Sequence, residues 1–277
     1  MQPLLLVIII ASGACLFAWI SSLVTGDTSW VDRLWSIVPV VYVVVFAAVA
    51  HLTNARLDLM AGLVALWGIR LTFNFARKGG YTGVEDYRWQ VLRDSMNRWQ
   101  FQLFNLFFIV LYQNFLLVLI ALSALNAYQH RDAPFTWLDA ALGLLFLAST
   151  VGETIADQQQ WDFHQWKAAE LSAGRSANPR FLQSGLFRFS RHPNYFFELA
   201  QWWLLFFMGA SAASSVGQWT LAGPVLLSLL FIGSTRFTEQ ITIAKYPEYE
   251  QYQRHTSSVV PWFVKKDKSL VLAEIAG

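Results

Sequence analysis

Apolar runs of about 20 residues, the length that carries a helix across a bilayer, follow one another along most of this chain. A backbone in hydrocarbon has to satisfy its own polar groups, so runs of this kind fold as helices. Seven are legible, at roughly 3–24, 30–50, 58–76, 101–126, 135–160, 194–213 and 217–238. Charged residues make up 14% of the chain, against about 25% in a soluble domain. The expected architecture is all-α: a polytopic membrane protein of seven transmembrane helices, with residues 1–277 forming a single integral domain. No basic residue precedes the first apolar run, which favours a retained span over a cleaved leader.

Charge placement gives an expected orientation. The 77–98 connection carries Arg77, Lys78, Arg88, Arg93 and Arg98; the 161–193 connection carries Lys167, Arg175, Arg180, Arg188 and Arg191. Six further Lys and Arg follow from Arg236 onward, whereas the connections on the other side hold only Arg56 and Arg131. Positive-inside then puts the N-terminus outside and the C-terminus in the cytoplasm. Arg33 and Arg70 lie near or within spans, and ionisable residues there are functional candidates.

Several chemistries are excluded. The net charge of +2 is too small to argue for nucleic acid. Cys15 has no second cysteine to pair with, and the five histidines show neither HxxxH nor HExxH spacing, so no metal is expected. No GxGxxG follows a strand, and Walker and GxSxG motifs are absent.

Three polar segments fall on the cytoplasmic side. In "GIRLTFNFARKGGYTGVEDYRWQ", Arg70, Asn74 and Arg77 share a helix face, with Tyr87 beyond. In "GETIADQQQWDFHQWK", Glu153, Asp157, Trp161, His164 and Lys167 recur every three or four residues. In "SRHPNYFFELAQWW", Arg191, His192, Asn194, Tyr195 and Glu198 crowd the mouth of an apolar run. Each segment alone reads as a solvated helix extension, juxtamembrane charge or a helix start with Pro193 in its first turn. Together they offer cations for phosphates, Asn and Asp for ribose hydroxyls, and aromatic faces for a base, the needs of a nucleotide. Tyr246, Tyr249 and Tyr252, spaced by three, fit an interfacial aromatic belt or a cofactor contact.

"GLFRFSRHPNYFFE", with "DQQQWDFHQWK" upstream and "LWGIRLTFNFARK" further back, resembles the steroid 5α-reductase family and its bacterial membrane relatives; the match runs from about Trp67 to Pro261. Sterol C14 reductases and isoprenylcysteine methyltransferases carry related Arg-His-Pro segments. The resemblance implies a seven-helix, NADPH-dependent membrane oxidoreductase with its cofactor-binding portion at about 67–261. It implies that Asn194 and Glu198 bind the cofactor, that Asp157 faces it, that Arg180 lies near the adenosine phosphates and that Arg70 matches a third-helix arginine. His164 stands where the family has a basic residue. The family's Gln-Glu pair is missing: the nearest acid is Asp32, Trp67 takes the place of a tyrosine, and Tyr87 is an alternative proton donor.

The implied reaction is reduction of the C4=C5 bond of a Δ4-3-ketosteroid or similar enone lipid, by hydride addition to the β-carbon. A protonated carboxyl or phenol has to stabilise the charge that develops on the carbonyl oxygen. A salt bridge from Asp32 to a basic neighbour would disqualify it as that acid. The expected partners are the enone lipid and membrane lipid, with the chain a monomer in a bacterial inner membrane. The competing readings are a membrane S-adenosylmethionine-dependent methyltransferase and a non-catalytic lipid-binding protein.

Overall fold

The computed structural model describes residues 2–263. Twelve α-helices occur among them: α1 (Pro3–Thr25), α2 (Trp30–Trp35), α3 (Val38–Val49), α4 (Ala55–Arg77), α5 (Tyr87–Ser95), α6 (Arg98–Phe104), α7 (Gln113–Ala121), α8 (Ser123–Gln129), α9 (Trp137–Ser172), α10 (Pro193–Ala212), α11 (Ala222–Lys245) and α12 (Tyr249–His255). No strand forms among the described residues; the one sheet-like feature is a parallel bridge between Ser190 and Ser257.

Six segments are helical, long and apolar enough to cross a membrane: Pro3–Thr25, Trp30–Val49, Ala55–Arg77, Arg98–Gln129, Trp137–Ser172 and Trp219–Lys245. The chain is therefore a multi-pass membrane protein by length and composition. The seventh expected span corresponds to α10, which has the length at 20 residues. It falls outside the six because Asn194, Tyr195, Glu198 and Gln201 occupy its first half.

Two spans are less regular than their apolar runs suggest. The second is broken between α2 and α3, where Pro39 sits in the first turn of α3 and has no N–H to continue a helix. The fourth contains an eight-residue π-helical stretch, Asn105–Tyr112, between α6 and α7. By contrast α9 runs unbroken for 36 residues. At a rise of 1.5 Å per residue that is about 54 Å, well over the ~30 Å of a hydrocarbon core.

The residues divide into two compact units, Met1–Ala148 with Gln201–Ser228, and Ser149–Ala200 with Leu229–Gly277. The divisions fall within α9, α10 and α11. The first unit packs α1, α3, α4, α7 and α8 around Tyr42, Phe46, Met60, Trp67 and Leu117. Close helix contacts there depend on small residues, as is usual where no hydrophobic drive separates helix from lipid. A β-carbon on Gly209 of α10 would lie 2.4 Å from the Ser123 carbonyl oxygen, and one on Gly223 of α11 would lie 2.5 Å from that of Leu119.

One end of the first unit is closed by a buried ion pair. Arg56 Nε and Nη2 donate to the two oxygens of Asp139 at 2.8 and 2.9 Å, and Nη2 also donates to the Pro134 carbonyl at 2.7 Å. The side chains are 2% and 0% exposed. Asp139 accepts in addition from the Thr136 N–H and hydroxyl. Arg56 therefore acts as a fully paired interior cation, not as the loop charge counted from the sequence.

Candidate functional site

The second unit holds most of the polar residues singled out in the sequence. Gly152 lets α9 approach α10 closely, since a β-carbon there would sit 2.5 Å from the Phe197 ring. Beyond it α9 presents the buried carboxylates Glu153 and Asp157, then half-buried Trp161, exposed His164 and half-buried Lys167. The connection after α9 folds back on this helix. Gln159 Oε1 accepts from the Leu186 N–H at 2.9 Å and pins the turn Gly185–Arg188.

Lys167 Nζ donates to the Arg180 carbonyl and, at 3.0 Å, to the Tyr246 hydroxyl. The Tyr246 ring has three cations near it: Lys167 at 4.6 Å from the centroid, Lys245 at 5.5 Å and Arg180 at 6.0 Å. Arg180 is 59% exposed and reaches Glu248 at 3.5 Å. The hydrogen bond from Lys167 holds the Tyr246 phenol below the usual tyrosine range. Burial pushes Tyr249 and Tyr252, which pack edge-on against each other beside Phe181, the other way.

The residues ahead of α10 form a second cluster. Arg191 donates from Nε and Nη2 to Glu239 at 2.6 and 3.0 Å, and from Nη1 to the carbonyls of Gln253 and Thr256. His192 Nε2 lies 3.0 Å from Glu239 Oε1, and Gln253 Nε2 donates to Oε2 at 2.7 Å. The backbone N–H groups of Arg191 and His192 bond to the carbonyls of Ser257 and Ser258. Tyr252 donates to the Phe187 carbonyl, and Ser190 to those of Ser258 and Val259. Residues 187–192 are thus stapled to the segment 252–262.

Pro193 opens α10, where its missing N–H leaves nothing unsatisfied. Asn194 and Tyr195 follow, both half-buried. The Tyr195 ring stacks on His192 at 5.2 Å and meets Phe231 at 4.8 Å. Neither the Asn194 amide nor the Tyr195 hydroxyl bonds to another side chain or backbone group among the described residues. Glu198, one turn on, is buried.

The remaining candidates lie in the first unit. Trp67 is fully buried and packs edge-on against Trp202 at 4.8 Å. Arg70 is half-buried on α4; Asn74 is buried and accepts from Arg77 Nε at 2.9 Å. Tyr87 begins α5 and is 52% exposed. Asp32 accepts from Trp89 Nε1 at 2.8 Å. Its basic neighbours are committed elsewhere, Arg33 to Asp27 at 2.5 Å and Arg88 to Asp86 at 2.7 Å. The structure therefore unites Lys167, Arg180, Arg191, His192, Asp157, Asn194, Tyr195 and Glu198 in one unit, and Asp32, Trp67, Arg70, Asn74 and Tyr87 in the other. Glu239, the hub of the second cluster, had no role assigned from the sequence. Its signal was a carboxylate immediately after the last apolar run.

The family described as "Protein of unknown function (DUF1295)" matches residues 18–256. An uncharacterized protein of Schizosaccharomyces pombe, C594.04c, is 37% identical over 265 residues, covering 88% of this chain and 75% of its own length. This similarity extends to a yeast, beyond the bacterial inner membrane expected from the sequence. No solved structure matches the chain.

Proposed function

Because this chain belongs to the DUF1295 family, whose description names no activity, we propose one from its own residues: NADPH-dependent reduction of the C4=C5 bond of a Δ4-3-ketosteroid or similar enone lipid. The observation that carries the reading is that the polar groups of Asn194 and Tyr195 hydrogen-bond to no other described residue, in the same compact unit as the Lys167–Arg180–Tyr246 cluster.

The donor set fits a dinucleotide. Lys167 and Arg180 supply positive charge for phosphates, and Arg180 is exposed enough to turn from Glu248 towards one. The Tyr246 face, already flanked by cations, is a surface for a base. Asn194 offers an amide for a carboxamide or a ribose hydroxyl, and Asp157 and Glu198 are buried carboxylates for hydroxyl groups. When bound, NADPH supplies the hydride. Arg191 and His192 hold the start of α10 in place through Glu239, which fixes Asn194 and Tyr195 as positioned donors. In this reading α10 is the seventh crossing, the N-terminus lies outside and the polar ends of α9 and α11 face the cytoplasm, where NADPH is found.

The test is NADPH binding and oxidation by the full chain in detergent with a panel of enones, progesterone among them, followed by product identification. Saturable NADPH binding and a product reduced at the β-carbon support the reading. Absence of NADPH binding, or saturable binding of S-adenosylmethionine in its place, overturns it.

A further inference from the structure

Three cations from three separate stretches of the chain converge on one ring. Lys167 Nζ lies 4.6 Å from the Tyr246 centroid, Lys245 Nζ 5.5 Å and the Arg180 guanidinium 6.0 Å. Lys167 belongs to α9, Arg180 to the connection after it and Lys245 to the last turn of α11, all within the second unit. No run of basic residues in the sequence makes this cluster; the fold assembles it.

The backbone around the cluster is fixed while its charged ends stay available. Lys167 Nζ donates to the Arg180 carbonyl and to the Tyr246 hydroxyl, which ties the connection to α9 and to the end of α11. Phe181, the next residue, packs against Tyr246 at 6.4 Å, Tyr249 at 5.0 Å and Tyr252 at 5.6 Å. An ammonium has three donors, so Lys167 keeps one in reserve. Arg180 and Lys245 are both exposed.

The charges do not balance. All three cations lie within 6.0 Å of one point, closer than salt screens at physiological strength. Glu248, 3.5 Å from Arg180, is the one carboxylate paired with any of them among the described residues. Three positive charges against one negative leave an excess of two. The Tyr246 phenol, held low by the Lys167 hydrogen bond and the nearby ammonium charges, reports the same positive field. A phosphate monoester carries about −1.5 to −2 at pH 7 and presents three acceptor oxygens. A phosphodiester carries a single charge and matches the excess less well.

We propose that Lys167, Arg180 and Lys245 form a site for a phosphate monoester. Arg180 and Lys245 close on its oxygens, and Lys167 donates its remaining N–H. This chemistry has two sources here. One is the 2′-phosphate that distinguishes NADPH from NADH; in that form the site rests on the reductase reading and makes it selective for the phosphorylated cofactor. The other is the headgroup of a phosphatidic acid, because Lys245 is the last residue of a membrane-crossing segment.

The test measures binding to the full chain in detergent by thermal stabilisation, with two matched pairs. They are NADPH against NADH, and short-chain phosphatidic acid against short-chain phosphatidylglycerol. In each pair only the first member carries a phosphate monoester. The expected result is a preference of about tenfold or more for the monoester in one pair, the effect of a charge-assisted hydrogen bond. That preference falls towards unity in Lys245→Gln and in Arg180→Gln, whose exposed side chains leave the ligand-free melting point unchanged. Preference for NADPH supports the site and assigns it to the cofactor. Preference for phosphatidic acid without dinucleotide binding supports the site, assigns it to a lipid and removes the reductase reading. Equal binding of NADPH and NADH with no lipid preference overturns the site and leaves the reductase reading standing. A preference that survives both substitutions, or none in either pair, also overturns it.

Discussion

The guanidinium of Arg191 lies across both carboxylate oxygens of Glu239, at 2.6 and 3.0 Å, with the two side chains 9% and 8% exposed. Removing one partner leaves a buried charge without its counterion. Glu239→Ala is expected to cost about 3–5 kcal/mol, read as a loss of thermal stability in detergent. Adding Arg191→Ala to it should cost less than the sum of the single changes, because the two side chains share one interaction. Additive losses would show that the pair is not coupled.

The Arg56–Asp139 pair gives a related expectation with a different outcome for its double replacement. Asp139→Ala strands Arg56 in the interior at about 3–5 kcal/mol, but Arg56→Met with Asp139→Leu removes both charges and is expected to cost less. The uncovered carbonyl of Pro134 sets a residual cost of about 1–3 kcal/mol. Unfolding midpoints of the two variants check this order.

Gly209 and Gly62 have opposite expectations for the same substitution. Gly209→Ala drives a methyl into the Ser123 carbonyl and should destabilise by about 1–3 kcal/mol. Gly62→Ala meets nothing within 4 Å and should stabilise α4 by roughly 0.5–1 kcal/mol. Equal effects at the two positions would mean that α10 and α8 are not in close contact.

Tyr246 is expected to ionise before Tyr249 and Tyr252 in an alkaline titration followed by phenolate absorbance. Lys167→Met should move that first phase upward. The sign for stability follows from the lowered phenol. Between its folded midpoint and the ordinary tyrosine value near 10, the folded chain has released a proton that the unfolded chain keeps, so stability rises with pH across that window. An early phase unchanged in Lys167→Met would assign it to another tyrosine.

Asn194→Ala separates binding from folding. Its side chain bonds to no other described residue, so thermal stability should stay within about 0.5 kcal/mol of the parent. NADPH affinity should fall about tenfold, the worth of one good hydrogen bond to a bound ligand. A stability loss as large as that of Glu239→Ala would make Asn194 a structural residue.

The helices were legible because run length alone determines them. Their interruptions were not: a proline at 39 is visible, but whether Asn105–Tyr112 bonds to i+4 or i+5 is decided by what packs around it. The extension of α9 past its apolar run was readable from the spacing of Asp157, His164 and Lys167. Arg56 was counted as a loop charge because its partner, Asp139, is 83 residues away and nothing local announces it. Arg191 and His192 were read as ligand groups for the same reason: Glu239, which they hold, follows almost 50 residues later. Polar residues at a helix mouth are visible in sequence, whereas the distant residues that satisfy them are not.

Residues 187–192 receive their partners from a stretch translated more than 60 residues later. Until that stretch leaves the ribosome, the guanidinium ahead of α10 has no acceptors from Gln253 or Thr256. A message cut short just after α11 would thus yield a product with its membrane helices threaded and that arginine only partly tied.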